Sequence, residues 1–251
     1  MELMIVGCVR EGWDRFRKNI GVSIGVVLIY AIITMVGGAV PVIKVAMNLV
    51  ITPVLTGGVV IFAMKIVRGQ EGKIEDLFQG FYRFGGFLGA YWLYVGIALL
   101  AFIPAAIGFG IDASIHGDVR GMVNDWTVQG SLTYVPRYTI ALGAVSIVIL
   151  IPVMLRLSMA YYLIVDGMKV IDAFRESARI TKGFVWKLFL LSLLNALVVL
   201  AGFLAILVGL LAAIPVAMFA YAVAYTRLRG GVPTSVLWPP AGKEGDVRGA
   251  S

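Results

Sequence analysis

Charged residues in this chain are confined to short stretches, and long apolar segments run between them. Residues 20–43 carry no charge, nor do 45–64 or 84–111, and 188–225 is a charge-free run of 38 residues. The runs are continuous and not alternating, which is the pattern of helices with apolar surroundings and not of barrel strands. A hydrocarbon core of about 30 Å takes about 20 apolar residues per helix. The longest run therefore predicts two helices, turning between Gly202 and Gly209. The pattern as a whole predicts an all-α, polytopic membrane protein with spans at 20–40, 45–67, 87–107, 139–165, 185–206 and 209–225.

Polar segments precede the odd-numbered spans, and their apolar residues recur at helical spacing. Leu3, Val6, Trp13, Phe16 and Ile20 do so in the first, Ile74, Leu77, Phe78, Phe81 and Phe84 in the second, and Ile171, Phe174 and Ala178 in the third. These are expected to be interfacial amphipathic lead-in helices. They admit two roles, a stop that fixes the depth of the next hairpin or a surface that senses lipid or docks a partner.

The spacing also repeats. Each even span holds a proline, in Thr52-Pro53-Val54, Ile151-Pro152-Val153 and Ile214-Pro215-Val216. Each ends at a glycine, in Arg68-Gly69, Asp166-Gly167 and Arg229-Gly230. From Gly21 to Pro53 is 32 residues, and from Gly183 to Pro215 is again 32. The middle interval, Gly86 to Pro152, is 66, longer by the polar stretch at about 108–137. This predicts three pseudo-repeated hairpins, at about 3–69, 74–167 and 170–230, in one integral membrane domain over 1–230. Residues 231–251, with Pro233, Pro239 and Pro240, are expected to form a disordered cytoplasmic tail.

Composition agrees: 60% of the 251 residues are hydrophobic, 14% are charged and the mean hydropathy is +0.95. Soluble domains carry about 25% charged residues. With the N-terminus in the cytoplasm, 17 of the 21 Lys and Arg fall on that side, which places both termini in the cytoplasm of a multi-pass cell-membrane protein. The net charge of +7 then forms a cytoplasmic rim toward anionic lipid headgroups, and nucleic acid is not an expected partner. The first nine residues lack the basic start of a signal peptide. Cys8 is the one cysteine, so no intramolecular disulfide forms, and it is read as an apolar packing residue.

Two stretches resemble a known group of proteins. One spans 61–91, with Lys65-Ile66-Val67-Arg68-Gly69 and Ile74-Glu75-Asp76-Leu77-Phe78-Gln79-Gly80-Phe81. The other is Tyr162-Leu163-Ile164-Val165-Asp166-Gly167 with Ala173-Phe174-Arg175-Glu176-Ser177 and Thr181-Lys182-Gly183-Phe184-Val185-Trp186-Lys187. They are similar to prokaryotic six-span membrane proteins that include the membrane domain fused to some glycerophosphoryl diester phosphodiesterases and many stand-alone proteins of unknown function. The resemblance covers most of 10–230 and implies the six-span fold and the lead-in helices. It implies no catalytic residues, since the phosphodiesterase chemistry of the fused proteins resides in a soluble domain that this sequence does not contain.

No metalloprotease, nucleotide-binding or serine-nucleophile motif occurs, and the expectation is a protein that is not an enzyme and has no cofactor. Asp112, His116 and Asp118 could ligate a metal, but such offsets are commonplace in solvated loops, and no metal site is expected. Trp126, Tyr134 and Tyr138 read as interfacial anchors.

Candidate polar sites lie inside the apolar runs. Asn48, Thr52 and Thr56 flank the first proline, Ser146 the second, and Asn195 sits within the fifth span. A proline frees a carbonyl one turn back, so these groups could line a cavity or could pack against neighbouring helices. Arg156 is the one formal charge deep in an apolar stretch. It either snorkels to the headgroups or faces the bundle interior and anchors a site, and Arg156, Asn48 and Asn195 form the candidate intramembrane polar site. Two functional classes remain: a non-catalytic module for transport or handling of a lipid or small solute, and a scaffold or regulator that binds partners through its lead-in helices.

Overall fold

The computed structural model describes residues 5–38, 41–116, 137–204 and 208–230. The 231–251 tail, Asp118, Trp126 and Tyr134 lie outside the described residues, as does most of the expected outer loop. Among the described residues every element is helical. In chain order these are α1 (Ile5–Lys18), α2 (Ile20–Gly38), α3 (Pro41–Ala46), a π-helical turn (Met47–Ile51), α4 (Thr52–Val67), a 3-10 helix (Ile74–Arg83), α5 (Phe84–Ala101) and α6 (Ile103–His116). After these come α7 (Arg137–Leu157), α8 (Ala160–Val165), α9 (Val170–Ile180), α10 (Val185–Leu204) and α11 (Val208–Leu228).

Six segments are long and apolar enough to cross a membrane: Ile20–Gly37, Lys44–Val67, Ile74–Ala101, Arg137–Val165, Val185–Leu204 and Gly209–Leu228. Five of them match predicted runs to within three residues at each end, while the third ends at Ala101 and not at 107, since a new helix starts at Ile103. The long run divides into α10, ending at Leu204, and α11, starting at Val208. The third apolar stretch itself starts at Phe84, because the preceding 3-10 helix carries Glu75, Asp76 and Arg83.

The chain divides into two compact units. One comprises Met1–Leu88 and Met159–Ser251, the other Gly89–Ser158. In the first, α4 and α11 pack on each other and form the core, with Leu55, Phe62, Met64, Phe219 and Tyr225 fully enclosed. The Lys44–Val67 segment is 67% buried and Gly209–Leu228 50%, against 17% for Ile20–Gly37, so α4 and α11 are inner and α2 is peripheral, whereas the segment that carries Pro152 in the second unit is 11% buried. Short lead-ins cover the ends of the inner helices. Helix α1 packs on α11, the 3-10 helix on α4, and α9 on α8. In the second unit α6 packs along α7.

Several details depart from the sequence reading. The second lead-in is a 3-10 helix and not an α-helix. Asp76 explains its start, since its carboxylate accepts the Lys73 amide at 2.8 Å and the Lys65 ammonium at 2.5 Å, while Gln79 donates to it at 2.8 Å. The second span is not uniformly α-helical. The Thr52 amide bonds the Met47 carbonyl, five residues back, just before Pro53 removes a donor from the ladder. The fourth span breaks after Leu157. The Met159 amide leaves the helical ladder and bonds the Ser177 hydroxyl of α9 at 3.2 Å. The stretch expected as a loop from 108 is helical to His116. Asp112, considered there as a metal ligand, is 1% exposed and accepts both the backbone amide and the hydroxyl of Thr139, at 2.7 and 2.8 Å. It therefore caps the start of α7. No metal-binding cluster of His, Cys, Asp and Glu occurs among the described residues.

Candidate functional site

Two constellations in the first unit carry polar chemistry. The first is a hub at the ends of the inner helices. Helices α4, α8 and α11 finish in Arg68-Gly69, Asp166-Gly167 and Arg229-Gly230, with φ of 78°, 96° and 82° at the glycines, the left-handed turn that ends a helix. The three preceding side chains converge. Arg68 donates to Asp166 Oδ1 at 2.5 Å, while Arg229 and the Tyr225 hydroxyl (2.5 Å) donate to Oδ2. Arg229 also donates to Tyr225 Oη at 2.9 Å. The Asp166 side chain is 2% exposed. Arginines at helix C-termini meet the negative end of the helix dipole, which also opposes a carboxylate there. Asp166 is held by its partners, not by its position.

Arginines of the lead-ins close the same helix ends. Arg15 donates to the Ile66 carbonyl at 3.2 Å and Arg83 to the Ile164 carbonyl at 2.6 Å, each three residues before one of those glycines. Glu11 links α1 to α11 through Arg227 at 2.9 Å. Beside it Cys8 is fully buried, and burial pushes its thiol pKa up, against an opposing pull from Arg227.

The second constellation is a groove between α10 and α11, with a volume of about 600 Å³. Ser192, Asn195 and Tyr221 gather on its wall, and the remaining lining, including Val199, Leu200, Phe203 and Leu210, is apolar. Tyr221 donates to Ser192 Oγ at 2.6 Å, and Ser192 donates to the Leu188 carbonyl at 2.9 Å. Asn195 is 4% exposed, and both polar atoms of its carboxamide lack a hydrogen-bond partner.

Asn48 is exposed in the π-helical turn and donates to the Lys44 carbonyl at 2.9 Å. No hydrogen bond joins it to Asn195. Arg156 belongs to the other unit, where it is exposed on α7. Thr56 is tied to Thr52 and Tyr30, and Ser146 accepts the Ala105 amide. Of the candidates, Asn195 lines a groove, with Ser192 and Tyr221 beside it.

A family model described as a protein of unknown function, DUF975, matches residues 14–231. The chain belongs to the DUF975 family. No curated protein and no solved structure matches it. The expected likeness to stand-alone membrane proteins of unknown function fits this assignment, whereas nothing ties the chain to glycerophosphoryl diester phosphodiesterases. The family's description assigns it no function.

Proposed function

We propose that this DUF975 protein is a non-catalytic, multi-pass module of the cell membrane that handles a lipid, built as three parallel hairpins with both termini in the cytoplasm. The observation that carries the lipid reading is the α10–α11 groove, with an unpartnered carboxamide in an otherwise apolar lining. A solute conduit calls for polar groups lining a continuous path. Here the interface of α4 and α11 is filled by large apolar side chains, and the buried carboxylates of Asp76 and Asp166 are paired with Lys65 and Arg68.

The hairpin arrangement is supported by how the lead-ins pack. The first covers the returning helix of the third hairpin, the second that of the first, and the third that of the second. A Cβ on Gly12 would lie 2.7 Å from the Val216 carbonyl oxygen and 3.0 Å from the Ala220 nitrogen. One on Gly80 would meet the Val54 oxygen and the Gly58 nitrogen. Those contacts fall one and five residues after Pro215 and Pro53 respectively. Exposed Arg10, Arg17 and Lys18 of α1 and Arg175 of α9 then face anionic headgroups.

The test is reconstitution of the full chain in proteoliposomes. The expected outcome is a defined lipid retained through detergent washing and no saturable solute uptake. Uptake without retained lipid refutes the reading. Labelling of single cysteines placed at Gly130, outside the described residues, and at Ser251 should report opposite faces. Labelling from one face removes the six-span topology.

A scaffold reading draws on one observation. Aromatic lead-in residues are exposed, Trp13 at 46% and Tyr82 at 72%, and a surface hollow of about 550 Å³ lies among Glu75, Phe78, Gln79, Phe81 and Tyr82. Tyr82→Ala that abolishes function while leaving lipid retention intact would favour it.

A further inference from the structure

The polar notch of the α10–α11 groove has a hydrogen-bonding inventory that discriminates among lipids. The Ser192 hydroxyl is committed, accepting from Tyr221 and donating to Leu188. The Tyr221 oxygen has spent its proton on Ser192 and keeps lone pairs to accept with. The Asn195 carboxamide has two N–H donors and an acceptor oxygen, all unpartnered. The notch thus gathers donors and acceptors side by side, those of Asn195 buried at its wall, and among the described residues no charged one lines it. A phosphate would find only the amide N–H groups, no cation, and two acceptor oxygens turned toward it. A group with carbonyls alone would leave the Asn195 oxygen unpaired. A hydroxyl next to an ester carbonyl satisfies both sides.

Depth points the same way, and this step rests on the membrane reading proposed above. Asn195 lies ten residues into α10, about 15 Å along it at 1.5 Å per residue. A charged headgroup drawn that far into hydrocarbon pays a desolvation cost that a hydroxyl and an ester largely avoid. Beyond the notch the groove continues along Val199, Leu200, Phe203 and Leu210, an apolar channel that suits an acyl chain. We propose that this groove holds a neutral glycerolipid with one free hydroxyl, of the diacylglycerol class, its head at Asn195 and Tyr221 and a chain along Val199–Phe203.

The experiment uses the full chain in vesicles of phosphatidylethanolamine and phosphatidylglycerol. Two photoactivatable probes carry the same reactive tail, one a diacylglycerol and the other a phosphatidylglycerol. The diacylglycerol probe is expected to label peptides within 192–221. Asn195→Leu should cut that labelling about tenfold, the equivalent of one to two hydrogen bonds. Tyr221→Phe, which removes one acceptor with little change of shape, should cut it about threefold. Both variants are checked for monodisperse elution and an unchanged melting transition. Equal, Asn195-dependent labelling by both probes overturns the neutral class while lipid handling stands. Absence of labelling by either probe overturns both. Cross-linking between two copies through Leu197→Cys, lost in Asn195→Leu, would assign the groove to a second copy of the chain and overturn the lipid proposal.

Discussion

Replacing Asp166 by Asn tests whether the hub holds the ends of the inner helices together. The carboxylate accepts from Arg68, Arg229 and Tyr225, and its side chain is 2% exposed. The amide keeps the shape but places an NH2 against a donor and leaves two guanidinium groups beside each other without a counter-charge. Hydrogen bonds to charged groups contribute about 1.5–3 kcal/mol each. Removing one partner from a buried ion pair costs about 3–5 kcal/mol. Arg68 and Arg229 retain 17% and 33% exposure, so water screens part of their repulsion. The expected loss is therefore about 3 kcal/mol, at the lower end of that range. Arg68→Gln should cost less, about 1–2 kcal/mol, because Asp166 keeps Arg229 and Tyr225. The double variant should be less destabilised than the sum of the two, since the charge that Arg68 pairs with is already gone. Thermal unfolding of a fluorescent fusion in mild detergent reads all three. An Asp166→Asn protein within about 0.5 kcal/mol of the parent, or an Arg68→Gln protein less stable than Asp166→Asn, would refute the hub as the organising contact.

Gly80→Ala puts a methyl group into the Val54 carbonyl and Gly58 amide, backbone atoms that cannot rotate away, and should cost more than about 3 kcal/mol. Gly12→Ala meets Val216 O at 2.7 Å and should cost about 1–3 kcal/mol, with thermal unfolding ranking the two. Ser177→Ala strands the buried Met159 amide and should cost about 1–3 kcal/mol in the same assay. Cys8 should react with maleimide only after unfolding in dodecyl sulfate. Because burial raises its pKa, the stability it contributes is complete below pH 9.0 and is lost as pH rises through the folded value, so the parent should lose more stability than Cys8→Ala in alkaline buffer.

The helices were legible because apolar run length is a strong signal, and the six runs needed no tertiary information. The lead-ins were legible as elements, but not the 3-10 geometry of the second. That geometry depends on Asp76 being claimed at once by the Lys73 amide and by Lys65 across the interface. Asp166 carries a sequence signal of its own. Its place before Gly167 matches Arg68 before Gly69 and Arg229 before Gly230, and opposite charges at matching helix ends foretell a meeting of those ends. Asn195 was visible as a polar residue in an apolar run, but Ser192 and Tyr221 were not, because their convergence depends on how α10 and α11 cross.

On the three-hairpin reading, the small residue at the centre of each lead-in matches the state of the helix beneath it. Under Gly12 and Gly80 the helices α11 and α4 run on without interruption past Pro215 and Pro53, and the close approach of the two backbones requires a residue without a Cβ. Under Ser177 the returning helix is interrupted between Leu157 and Ala160, and the Met159 amide there needs an acceptor. A glycine at 177 would permit the approach but strand that amide. A serine at 80 would drive its Cβ into the Val54 carbonyl oxygen and the Gly58 nitrogen, a clash that no hydrogen bond of its hydroxyl relieves. The two kinds of residue are therefore not interchangeable, although both are small. The break itself frees the Leu157 carbonyl, which accepts from the Tyr94 hydroxyl, so both polar groups exposed by the interruption find partners. A break with both sides satisfied is a built feature of the second hairpin, and it accounts for the serine that sets the third lead-in apart from the other two.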